Sequence, residues 1–260
     1  MSTHNISKIN HLLKNWPNGA VVVQSWLSKQ GVSRHLAQRY IKSHWLERIG
    51  KGTFVKVNDR LNWTGGVFAL QKQLNFNIHV AAKTALAMQG YENFISLESG
   101  QVVWLFKSPN EKRSLPKWVV NYFGKEVKIR VKKRNLFKHD NTFGLIEKDF
   151  DYYTILISSR ERAVMEYLDL APEQESLSQG MYLMESLLTL RPKVVQILLE
   201  DCTSIKVKRL FLYLAEKESL PWVRELNLSK IDLGSGKRVI VKGGKLDPKY
   251  NISVPITKEY

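Results

Sequence analysis

A chain of 260 residues with 43% hydrophobic side chains carries enough apolar surface for two ordinary cores, which excludes disorder as its default state. Forty Lys and Arg against 24 Asp and Glu leave a formal charge of +16, which suits polyanionic partners wherever the surplus is gathered on one face. The start MSTHNISKINHLLKNW lacks the apolar stretch of a signal peptide and no apolar run approaches the ~18 residues of a membrane span, so a cytoplasmic location is expected; a single cysteine, Cys202, excludes a disulfide framework and a cysteine-rich zinc site.

The surplus gathers early. Residues 1–60 hold Lys8, Lys14, Lys29, Arg34, Arg39, Lys42, Arg48, Lys51, Lys56 and Arg60 against only Glu47 and Asp59, a local charge of +8. General solubility or an anionic membrane surface would also favour such a balance, but no amphipathic anchor or lipidation signal supports the membrane.

Ile6, Ile9, Leu12, Leu13 and Trp16 recur at helical spacing, with Ser7, Lys8, Asn10, Lys14 and Asn15 off that stripe, and Pro17-Asn18-Gly19 ends the helix. Val21-Val22-Val23 follows as a short extended run. Ser25 is placed to cap a brief helix over Trp26–Gln30, Gly31 to end it in a left-handed conformation, and Ser33 to cap the next helix. At ~100° per residue, Arg34, His35, Gln38, Arg39 and Lys42 fall on one side of that helix, while Leu36, Ala37, Tyr40, Ile41 and His44 fall on the other. A short helix, a glycine turn and a second helix with a basic face form the pattern of a helix-turn-helix, whose second helix enters the major groove. Arg suits guanine and Gln suits adenine, whereas Lys42 suits a phosphate; a solvated helix face would look the same on the wheel alone. Trp45–Ile49 and Thr53–Val57, joined through Gly50-Lys51-Gly52, then predict a hairpin in the place of a wing, with Lys51 at its tip.

Asn62 is placed to cap a helix reaching Leu74, and a further helix covers Ala81–Gln89; His79 before it is expected to be a packed or capping residue. Strand-like runs then appear at Val102–Phe106, Val127–Val131 and Tyr152–Ile157. The expected class is therefore α+β, with a winged helix-turn-helix and helical extension over residues 1–92 and a larger mixed α/β domain over 93–260. In the strand predicted over Lys125–Lys138, Lys128, Arg130 and Lys132 alternate with Val127, Ile129 and Val131, which are expected to point inward. That strand is either a second nucleic-acid surface or an edge strand protected by charge.

Ser158 and Glu161 have capping-box spacing before a helix over Arg160–Leu170, and helices follow at Met181–Leu188, Pro192–Cys202 and Ile205–Lys217. The last begins with Lys206, Lys208 and Arg209, cations that oppose its dipole; either a bound anion relieves them or they lie on a solvated face. Gly234-Ser235-Gly236-Lys237-Arg238 fails the phosphate-loop pattern in spacing and in Arg238, so it is expected to be turns around the strand Val239-Ile240-Val241, with Lys237 and Arg238 as further anion candidates. Leu198, Leu199 and Ile205 around Cys202 favour a buried structural thiol. The six histidines show no paired ligand spacing, so no metal, cofactor or catalytic residue is expected.

Four stretches together carry a resemblance: SWLSKQGVSRHLAQRYIKSHWLERIGKGTFVKV (25–57), IHVAAKTALAMQGY (78–91), ISSRERAVMEYLDL (157–170), and VKRLFLYLAE with LSKIDLGSGKRVIVKGG (207–216, 228–244). Through them the chain resembles, over nearly its whole length, the AbiEi antitoxins of type IV toxin–antitoxin and abortive-infection systems. The resemblance implies a winged helix-turn-helix that represses the antitoxin–toxin operon at promoter inverted repeats, and a C-terminal domain that counteracts a nucleotidyltransferase-like toxin without a stable complex. Arg160 stands where the family often has Pro at the helix start. Three other roles keep their place beside this one: a regulator of unrelated genes, a basic nucleic-acid-modifying enzyme, and a module that masks the toxin directly.

Overall fold

The computed structural model describes residues 8–91, 101–138 and 142–255, so Ile6, Ser7 and the expected division between residues 92 and 93 lie outside the described residues. The first helix, α1 (Lys8–Asn15), buries Leu12, and Trp16 behind it closes the turn by donating its indole N–H to the Ala20 carbonyl at 2.8 Å. The chain then forms β1 (Val22–Val23), α2 (Gln24–Lys29), α3 (Arg34–Lys42), β2 (Leu46–Gly50) and β3 (Thr53–Lys56). The strands form one sheet in the order β1-β3-β2. This helix–strand–helix–helix–hairpin order is the one predicted, and Gly31 makes the expected left-handed turn between α2 and α3 (φ 75°).

Two local expectations are corrected. Ser25 lies inside α2, whose N-cap is Val23 without a side-chain cap. The reason is tertiary: the Gln24 N–H that a cap would help to satisfy instead donates to the Gly52 carbonyl in the hairpin at 2.8 Å. His44 is not on the packing face of α3; it lies beyond the C-cap Ser43 in a left-handed turn (φ 55°) and is exposed.

Asn62 caps α4 (Trp63–Phe68) by accepting from Thr64 N–H, as expected, but the helix does not run to Leu74 in α form; it widens into a π turn over Ala69–Gln73. Two glutamine side chains account for the widening. Gln71 donates to the carbonyls of Ile78 and Leu156 and accepts from Leu156 N–H, while Gln73 bridges Val23 N–H and the Val21 carbonyl. The wider turn lets both reach different strands at once. β4 (Ile78–Val80) and α5 (Ala82–Ala87) follow.

β4 is the middle strand of a five-stranded sheet completed by β5 (Val102–Lys107), β6 (Lys128–Lys133), β7 (Leu145–Asp149) and β8 (Thr154–Ser158), in the order β6-β5-β4-β8-β7. The parallel pair β5 and β6 is joined through α6 (Lys117–Phe123), the helical crossover that parallel neighbours need. Paired residues share a face, so His79, Trp104, Phe106, Arg130 and Lys132 project to one side, and Val80, Leu105, Ile157 and Val131 to the other. The first side packs on α7 (Arg160–Leu170), followed by α8 (Leu177–Ser186), α9 (Pro192–Asp201) and α10 (Ile205–Lys217). A small sheet, β9 (Arg238–Val239), β10 (Lys245–Asp247) and β11 (Ile252–Val254), ends the described chain.

The expected capping box before α7 does not form. Ser158 is a strand residue that donates to Glu166 at 2.6 Å, and Glu161 is fully buried against Arg191 at 2.9 Å. Glu166 gathers His79 Nε2 (2.9 Å), Arg162 Nε (2.8 Å), Ser158 Oγ and Ala82 N–H (3.2 Å) around one carboxylate. Burial alone would raise its pKa, but these partners outweigh burial and hold it at about 2. His79 is thus a packed residue, as its setting in the sequence suggests, and the cluster rivets β4 and β8 to α7.

Candidate nucleic-acid interface

The face predicted for α3 is built as its periodicity requires. Ser33 caps the helix by accepting Leu36 N–H at 3.2 Å, Ala37 is buried, and Leu36, Tyr40 and Ile41 pack partly into the core. Arg34, His35, Gln38, Arg39 and Lys42 are all exposed, and none has an ion pair or side-chain hydrogen bond among the described residues. Ser33 stands exposed at the head of the same face.

The β2–β3 hairpin rises beside α3 and carries Lys51, exposed, at its two-residue tip. A groove of about 600 Å³ runs between them, lined by Gln24, Ser25, Arg34, Gln38, Arg48, Lys51, and Trp118 of α6. Its charged lining is entirely basic. Arg48, which the sequence does not single out, also lines the groove, its guanidinium carbon 5.8 Å from the centre of the Phe54 ring. Lys56 on the partner strand is different: it bonds to the Trp16 carbonyl at 3.1 Å and to Asn18, and partial burial lowers its pKa.

Elsewhere the basic candidates separate. β6 is an edge strand with Lys128 exposed, but Arg130 stacks over the Trp104 ring at 5.5 Å and Lys132 lies half-buried near Asp169. Val131, expected inward, is 40% exposed, because the edge of the sheet is not covered there. Neighbouring Arg134 pairs with Asp169 at 2.7 Å.

The cations that open α10 are neither a solvated face nor an exposed anion site. Lys208 and Arg209 are 1% and 3% exposed. Lys206 donates to the Asp169 and Ala171 carbonyls at the C-terminus of α7, and Lys208 to the Asp232 carbonyl. Arg209 grips four carbonyls, those of Leu233, Gly234, Gly236 and Asn251, at 2.6–3.2 Å. Burial lowers the pKa of both lysines. Backbone oxygens, including those at the negative end of α7, thus supply the partial negative charge that a bound anion would have given. Lys237 and Arg238, held out by that anchored loop, are exposed.

Cys202 is buried, and burial pushes its thiol up to about 11, the state of a structural cysteine. Among the described residues no group of His, Cys, Asp and Glu could hold a metal ion, and no helix is long and apolar enough to cross a membrane.

Comparison with known proteins gives a consistent family. Residues 5–97 match the N-terminal domain of the AbiEi antitoxin transcriptional regulators, and residues 100–255 match the AbiEi antitoxin transcriptional regulators of type IV toxin–antitoxin systems. No curated protein matches the chain. Among solved structures, the RV2827C protein from Mycobacterium tuberculosis shares the fold, with a TM-score of 0.61 at 14% identity over 94% of this chain and 88% of that one.

Proposed function

The chain belongs to the AbiEi family of antitoxin transcriptional regulators of type IV toxin–antitoxin systems, and on that premise we propose that it represses its own operon by binding inverted repeats in the promoter. The supporting observation is the exposed face Arg34, His35, Gln38, Arg39 and Lys42, headed by Ser33 and flanked by Lys51 on the hairpin. Long polar side chains without partners on a helix cost conformational entropy to order, and a DNA groove supplies the partners. Arg34, His35, Gln38 and Arg39 face base edges or phosphates, Lys42 a phosphate, and Lys51 a phosphate or the minor groove. The larger C-terminal part counteracts a nucleotidyltransferase-like toxin, with Lys128, Lys237 and Arg238 among its exposed cations.

Mobility shifts on the DNA upstream of its own reading frame test the first part. Binding that exceeds random DNA and falls steeply with salt supports it; equal affinity for random DNA rejects it. Co-expression with the product of the adjacent reading frame tests the second, and growth arrest that this protein fails to relieve rejects it.

A further inference from the structure

The β2–β3 hairpin is held in place by a helix distant from it in the chain. Trp118 of α6 forms one wall of the groove between the hairpin and α3. It lies so close to β2 that a methyl group on Gly50 would sit 2.5 Å from Trp118 Cβ and 3.3 Å from Cγ. Both atoms are near the backbone, so no swing of a side-chain tip would relieve the clash. The same helix presses Phe123 against α4, where a methyl group on Gly66 would lie 2.5 Å from Cε2. The two aromatic rings meet edge to face at 6.4 Å, which stiffens α6 between its two glycine contacts. On its other side the hairpin is tied to β1 through only two residue pairs, Val22 with Phe54 and Val23 with Thr53, and to α2 through the bond from Gln24 N–H to the Gly52 carbonyl. Leu46, Phe54 and Val55 anchor the hairpin in the core, and Trp118 backs its far end at Gly50, next to Lys51.

We infer that Trp118 is a positioning residue that sets the distance between the hairpin and α3, and thereby the reach of Lys51 to the DNA backbone. The inference rests on the DNA-binding role proposed above. A hairpin free to tilt delivers Lys51 to many places and holds it at none, so the phosphate contact is lost although Lys51 itself is unchanged.

The test is a double-mutant cycle in the full-length protein on its own upstream DNA, read as affinity across a salt series. In the wild type, Lys51→Ala lowers the salt slope by about 1, the signature of one lost phosphate contact. Trp118→Ala, which removes Cγ and the ring from the contact, is expected to lower it equally, and Lys51→Ala added to Trp118→Ala is expected to change nothing more. Gly50→Ala, which leaves the tryptophan in place and strains the contact from the other side, gives the same pattern and carries the cycle if Trp118→Ala fails to fold. Additive losses overturn the positioning role, as does a wild type that binds its DNA but is insensitive to Lys51→Ala. A wild type with no preference for its own DNA instead rejects the DNA-binding role itself.

Discussion

The exposed cations of α3 and the buried cations of α10 are the same residue types at similar density, yet they do opposite things. On α3, Arg34, Arg39 and Lys42 keep clear of the core and end in solvent. On α10, Lys208 and Arg209 are enclosed and end on backbone carbonyls. What separates them is the company they keep. Around α3 the polar residues occupy one contiguous face, whereas on α10 Val207, Leu210, Phe211, Leu212 and Leu214 are buried together with Lys208 and Arg209, so these two cations have no solvent side to turn to. A charged side chain on a helix that is apolar on most sides has to find internal partners, and a loop rich in glycine offers carbonyls at close range.

Substitutions can break that contrast, and the largest effect is expected at Arg209. Arg209→Ala takes a donor from four carbonyls, of which Asn251 keeps Arg238 N–H, and should lower stability by about 3 kcal/mol, read as a fall in Tm, while the remaining folded protein keeps its affinity for DNA. A loss of affinity without a loss of stability would place Arg209 with the α3 cations instead. Arg34→Ala and Gln38→Ala should do the reverse, each weakening binding to upstream DNA by about 1–3 kcal/mol and relaxing selectivity at one base pair, with Tm unchanged. Ser33→Ala lies between the two kinds, because it removes the cap from the helix that carries the exposed face. About 1 kcal/mol of stability should be lost in urea titration, with a smaller fall in DNA affinity.

A last effect is read by lowering the pH, because it comes from the buried carboxylates. Glu161 and Glu166 are each held at about 2, burial being outweighed for Glu161 by Arg191 and for Glu166 by His79, Arg162 and Ser158. In the unfolded chain they take up protons at the ordinary glutamate pKa of about 4.3, before the folded protein does. Their contribution is therefore complete above that pH and is lost as pH falls from there toward 2. Thermal melts across that window should show a falling Tm, and Glu166→Gln should flatten the fall.

Local periodicity made much of the fold legible. The boundaries of α10 match the prediction to the residue, and the helix, glycine turn, helix and hairpin at the N-terminus were readable because each has its own stop signal. What escaped depends on partners far away in the chain. β4 is too short to show alternation and is a strand only because β5 and β8 flank it. The π turn follows from Gln71 and Gln73 finding backbone groups on other strands, and the destination of Arg209 follows from a loop that begins more than twenty residues later. In the candidate interface the α3 face and Lys51 were legible, while Arg48 and Trp118 were not, since only the folded groove brings them together.

The central position of β4 also bears on how the protein is made. As the chain leaves the ribosome, β4 can pair with β5 soon after both emerge, but its other edge stays open until β8 and Ile157 have been synthesised. The helix bearing Glu166, which fastens His79 and Ser158, arrives later still. A chain terminated or cleaved before that point carries the whole α3 face together with an unpaired strand edge, and such an edge invites aggregation or proteolysis. A truncated product that carries the α3 face without the C-terminal part is therefore a target for cellular quality control.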